Sequence, residues 1–169
     1  MAAAILERRL AERGVKARVA SAGTRPWNAG ATDDAIRVMR EKGLEISEHR
    51  NQPVTNELVE QADLVLGMTR EHVSFAVARS PQAAVRTFLV GELVRLGGEV
   101  GPREASEPLA RWAERAANAR PPNRPLGRAV DEISDPVGEP VDVYRKTAAI
   151  LDQRLSEIAD LLAGLRTLA

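Results

Sequence analysis

The stretch Ala62-Asp63-Leu64-Val65-Leu66-Gly67-Met68-Thr69-Arg70-Glu71-His72 sets the reading of the whole chain. From Asp63 to Met68 it is a compact apolar run, suited to a buried strand of a parallel sheet. Thr69 then offers a hydroxyl to the free amides of a helix start, so a strand passes directly into a helix. On the N-terminal side Thr55 opens a short helix that runs to Ala62. On the C-terminal side Ala84 to Leu89 reads as the next strand. Strand and helix signals alternate, which predicts an α/β sandwich built on a parallel sheet.

Further toward the N-terminus, Val15 to Ala20 alternates as a strand and enters the turn-like Ser21-Ala-Gly-Thr-Arg-Pro-Trp-Asn-Ala-Gly30. Thr32 is an N-cap, with Asp33 and Asp34 in the first turn where the helix dipole favours acids. That helix carries Ile36, Val38 and Met39 and ends at Lys42-Gly43. The first helix carries Ile5, Leu6 and Leu10 and stops at Gly14. It starts at residue 1 or 2 without a capping side chain, so its first amides lack partners from the chain.

Between Gly97 and Val130 the texture changes. Gly97-Gly98, Pro102, Pro108, Pro121-Pro122 and Pro125 punctuate it around one helix, Ser106 to Ala119, that carries Leu109, Trp112 and Ala116. The expectation is a partly mobile insertion, 97–130, within a single domain spanning 1–169. After Asp135-Pro136-Val137-Gly138 a long helix closes the chain. Its apolar face is expected to hold Val143, Ala148, Ile150, Leu151, Leu155, Ile158 and Leu162.

Composition removes several classes of function. Acidic and basic residues balance at 24 each, so no net field draws the chain to nucleic acid or an anionic membrane. No apolar run is long enough to span a bilayer, and the N-terminus lacks a signal peptide's apolar stretch, so a soluble cytoplasmic protein is expected. The absence of cysteine excludes disulfides, thiolate metal sites and a cysteine nucleophile within these residues. His49 and His72 are the only histidines, and no ligand pattern surrounds them; neither a metal nor an organic cofactor is expected.

Four segments, taken in order, resemble the low-molecular-weight protein-tyrosine phosphatases, a family that shares its fold with thioredoxin-coupled arsenate reductases. Met1-Ala-x-x-Ile-Leu with Arg8-Arg9-Leu10 resembles the helix just behind the family's phosphate loop. Ser21-Ala-Gly-Thr and Trp27-Asn-x-Gly30 are similar to a second family segment. The third spans Gly43, Ser47, His49-Arg50, Pro53-Val-Thr55, Ala62-Asp63-Leu-Val-Leu and Met68-Thr-Arg-Glu-His72. The fourth is Asp135-Pro-x-Gly138 with Val143-Tyr144.

The resemblance implies a three-layer, phosphotyrosine phosphatase I-like sandwich. It also implies hydrolysis of a phosphomonoester through a phosphocysteine, on a phosphotyrosine protein or a small aryl phosphate. A Cys-x5-Arg loop would cradle the phosphate with backbone amides at a helix N-terminus. By the same resemblance Asp135 is the general acid and then base, and Trp27 belongs to the cleft wall. His49, His72, Tyr144 and Trp112 are expected to pack. Val137 stands where the family often has an aromatic, which weakens stacking on a phenyl ring. Arg120, Arg124 and Arg128 are expected to line a solvated loop.

The phosphate loop, and the central strand that precedes it in the family, have no counterpart ahead of Met1. The expectation is an open reading frame that begins upstream, and a 169-residue form that is inactive. Losing a central strand would leave edges unpaired unless neighbouring strands close up or a second copy, in a homodimer, supplies one. Two other readings remain: a non-catalytic partner-binding module that uses 97–130, and an arsenate reductase, which would need relay cysteines.

Overall fold

The computed structural model describes residues 1–24, 30–122 and 127–164. Its elements are helix α1 (Ala2–Glu12), α2 (Asp33–Glu41), α3 (Asn56–Gln61), strand β1 (Val65–Gly67), α4 (Arg70–Arg79), β2 (Thr87–Leu89), α5 (Val90–Val100), α6 (Leu109–Asn118) and α7 (Val141–Ala163). The two strands pair in parallel, with Val65 opposite Thr87, Leu66 opposite Phe88 and Gly67 opposite Leu89. The strand–helix order of the decisive stretch forms as its pattern predicts, but the strands are shorter: Val65–Gly67 within 63–68, and Thr87–Leu89 where Ala84 to Arg86 instead belong to a 3-10 turn.

Alternation along β1 divides the molecule into layers. Leu64, Leu66 and Met68 pack into the large core formed with α1, α2, α5, α6 and α7. Val65 turns the other way, onto Val59, Ala76 and Ala83 of the α3–α4 side. A strand's side chains point to opposite faces, so helices on both sides make a three-layer α/β arrangement. The three threonine caps form as expected: Thr32 accepts from the amide of Ala35, Thr55 from Leu58 and Thr69 from His72.

Val15 to Ala20 does not become a strand. Its Val15 and Val19 do rest against the core, as the alternation requires. A strand is defined by a hydrogen-bonded neighbour, however, and among the described residues no strand lies beside this segment. Paired backbone bonds to another segment come, among the described residues, only at Gly23, whose amide donates to Gln52 O (2.8 Å) and whose carbonyl accepts from Val54 N (3.0 Å).

Gly97 reads in sequence as the start of irregular chain, yet α5 continues through it to Val100. A Cβ there would lie 2.6 Å from Leu161 Cδ1 and 3.2 Å from a ring carbon of Trp112. The glycine is thus a notch that lets α5, α6 and α7 close together. Trp112 is fully buried and donates its indole N–H to Gly101 O at 2.9 Å. Helix α6 starts at Leu109, after Pro108, rather than at Ser106. On α7, Tyr144, Ala148, Leu151, Leu155, Ile158 and Leu162 are buried, but Ile150 is exposed, one position off the stripe.

Helix α1 is held to α7 by charge as well as packing. Asp152 accepts from Arg9 Nε (2.9 Å) and Nη2 (2.7 Å) and from Lys42 Nζ (3.1 Å). Burial alone would raise the Asp152 carboxyl, but the Arg9 and Lys42 contacts outweigh it and hold the group below its ordinary value. A depressed carboxylate stabilises the fold above its unfolded pKa, and that contribution vanishes as pH falls through the folded value. Asp152→Asn is therefore expected to lower stability by about 1–3 kcal/mol near neutrality. Urea titrations of parent and variant should converge as pH drops below the ordinary carboxylate range. A gap that persists in acid would contradict the ionic origin.

Candidate active site

Asp135 lies on the connection between α6 and α7, and the residues just before it are tied down one after another. Asp131 is 8% exposed and accepts from Arg95 Nη2 of α5 at 3.2 Å. Its carbonyl presses on Gly91, where a Cβ would come within 2.7 Å, so α5 has room for no side chain there. Glu132 Oε1 accepts from the amide of Arg70 (2.8 Å) and from Arg70 Nε (3.0 Å). Ile133 is buried and its amide donates to Met68 O at 2.8 Å.

After these contacts the chain turns outward. Ser134 and Asp135 are exposed, Pro136 is buried, and Val137 is exposed again at 62%. One Asp135 oxygen, Oδ1, accepts from the amide of Val137 at 3.1 Å, closing an Asx turn. Proline removes a donor and fixes its own backbone, and the Asx bond fixes the side chain. The carboxyl is thus solvent-accessible on a stiff support.

That support meets the carboxyl end of β1 through Met68. In open α/β sheets the crevice for ligands lies beyond the carboxyl ends of the strands. His72 contributes locally: its Nδ1 accepts from the amide of Met68 at 3.3 Å, which agrees with a structural role. Tyr144 is buried, with its hydroxyl 3.3 Å from Thr32 Oγ1. His49 is pushed toward the neutral form by burial, and further by the positive charges of Met1 and Arg50. Helix α1 begins behind Met1 without a side-chain cap, as its sequence predicts.

Arg120 does not belong to a solvated loop. Its side chain is 15% exposed and pairs with Glu92, which is 2% exposed, at 2.9 Å. Arg120 also donates to Ala84 O (2.9 Å) and Thr87 O (2.6 Å), and its guanidinium lies 4.3 Å from the centre of the Phe88 ring. Glu92 receives the amides of Leu89 and Gly127 as well. Arg128 is exposed, whereas Trp27 and Arg124 lie outside the described residues. Among the described residues no group of three His, Cys, Asp or Glu could hold a metal, and no helix is long and apolar enough to cross a membrane.

The sequence pattern points to Asp135 but not to Asp131, Glu132, Arg70, Arg95 or the Glu92–Arg120 pair. No local pattern joins Arg70 to a residue 62 positions away.

The chain is similar to the protein-arginine-phosphatase of Bacillus subtilis, 28% identical over 155 residues, covering 90% of this chain and 81% of that protein. The protein-arginine-phosphatase of Geobacillus stearothermophilus is 29% identical over 163 residues, covering 96% and 86%. In structure it resembles the low molecular weight protein tyrosine phosphatase from T. tengcongensis, with a TM-score of 0.66 at 25% identity over 93% of this chain and 86% of that one. These relatives are phosphatases, which favours neither an arsenate reductase nor a partner-binding module. The family model for low molecular weight phosphotyrosine protein phosphatase matches residues 1–100, more than half of the chain, and the chain belongs to that family.

Proposed function

We propose that this chain forms the body of a protein phosphatase in which Asp135 is the general acid and base. The observation that carries the reading is Asp135 itself, an exposed carboxyl on a stiff, multiply tied turn. In such a reaction a thiolate attacks phosphorus and the leaving group departs with a proton from Asp135. The resulting carboxylate then draws a proton from the water that hydrolyses the phosphocysteine. The 169 residues contain no cysteine, so the nucleophile must come from residues other than these.

Phosphotyrosine is the substrate that the family name supports. A second reading, phosphoarginine, is favoured by the two relatives that align over nearly the whole chain. Val137 is compatible with it, because an aliphatic side chain offers no ring to stack on a phenol. The same acid would then protonate a guanidine nitrogen in place of a phenolate oxygen.

The test compares the 169-residue chain with a loop-bearing form, in which an apolar strand and a Cys-x5-Arg loop precede Met1. The short chain is expected to release no phosphate from phosphotyrosine or phosphoarginine peptides. The loop-bearing form is expected to turn over one of them. Turnover by the short chain, free of contaminating phosphatase, would overturn the assignment; so would a folded loop-bearing form that hydrolyses neither.

A further inference from the structure

We infer that Glu132 is a positioning residue for Asp135, acting through the first turn of α4. This rests on the reading of Asp135 as the acid. Helix α4 starts at Arg70, whose amide is one of the donors left without a partner inside the helix. Thr69 satisfies the His72 amide and leaves the Arg70 amide to another acceptor. Glu132 supplies that acceptor from 62 residues away, and the same oxygen, Oε1, takes the Arg70 Nε–H. One residue later the Ile133 amide bonds to Met68 O.

Glu132 and Ile133 thus form a two-point clamp on Met68-Thr69-Arg70, the junction between β1 and α4. Asp135 follows two residues beyond the clamp. The negative carboxylate also sits where the α4 dipole favours it, and the Arg70 amide holds Glu132 below the ordinary carboxylate range. The side chain of Glu132 remains 28% exposed and fills no part of either apolar core. Removing it leaves no cavity but frees the turn that carries the acid. Asp131, held by Arg95, fixes the segment from the other side.

The role can be read without activity and then with it. In the 169-residue chain, Glu132→Ala is expected to speed hydrogen exchange at the Ile133 and Val137 amides by roughly 10- to 100-fold. Exchange in α7 should stay unchanged. Glu132→Gln keeps a carbonyl oxygen for the Arg70 amide and should restore most of the protection. In the loop-bearing form, E132A should lower kcat for phenyl phosphate by roughly 10- to 100-fold, with KM unchanged. Phosphoenzyme formation from a dinitrophenyl phosphate, whose leaving group needs little protonation, should be slowed much less.

Unchanged exchange at Ile133 and Val137 in E132A would overturn the inference, as would an equal slowing of phosphoenzyme formation from both substrates. Asp135→Asn in the same form separates the two claims. If D135N impairs phenyl phosphate selectively and E132A does not, Glu132 alone is wrongly assigned. If D135N spares it, the acid assignment fails and the positioning role fails with it.

Discussion

Arg120→Ala is expected to lower the stability of the chain by about 3–5 kcal/mol, the range for breaking a buried ion pair from one side. Glu92, 2% exposed, would be left as a buried charge that, among the described residues, keeps the amides of Leu89 and Gly127 to compensate it. Removing the guanidinium also takes away its bonds to Ala84 O and Thr87 O and uncovers the face of Phe88. Against a typical total of about 5–15 kcal/mol, such a loss is severe. Urea unfolding measures it, and Glu92→Gln with R120A closes a double-mutant cycle. The double variant should be more stable than R120A alone, since a neutral amide is cheaper to bury unpaired. A loss below about 1 kcal/mol, the range of exposed pairs, would show that the end of α6 is not pinned to β2 as described.

What could be read from the sequence follows the range of the interaction. Thr32, Thr55 and Thr69 were legible because a cap and its amide lie three residues apart. The β1 run was legible because a buried strand shows its burial in its own composition. Val15 to Ala20 had the right alternation, but a strand also needs an edge to bond to, and alternation carries no information about that neighbour. Gly97 looked like a boundary because glycine weakens helices. Its reason, the close approach of Leu161 and Trp112, comes from residues well separated in sequence. Arg120 reads as a loop residue for the same reason: its partner Glu92 is 28 positions earlier. Asp135 stands out only through a family motif, and the Glu132–Arg70 contact ahead of it has no sequence signature.

In the loop-bearing form, Asp135→Asn is expected to reduce kcat on a phenolate leaving group by about 10²–10⁴-fold, the usual contribution of a positioned general acid. Asparagine preserves shape and can still accept the Val137 amide through its carbonyl oxygen, so the Asx turn should survive. What disappears is a transferable proton, and a phenolate expelled without one is a poor leaving group. The slowing of phosphoenzyme formation should therefore shrink as the leaving group becomes more acidic. For activated substrates hydrolysis of the phosphocysteine becomes limiting, and there the missing base should show as accumulated phosphoenzyme. Equal melting temperatures for D135N and the parent would separate this from a folding defect, because the Asp135 side chain is exposed and fills no core. A D135N variant with unaltered kcat across leaving groups would move the acid elsewhere. Glu132 is no substitute, since its carboxylate accepts from the Arg70 amide and Nε, contacts that hold it below the ordinary carboxylate range.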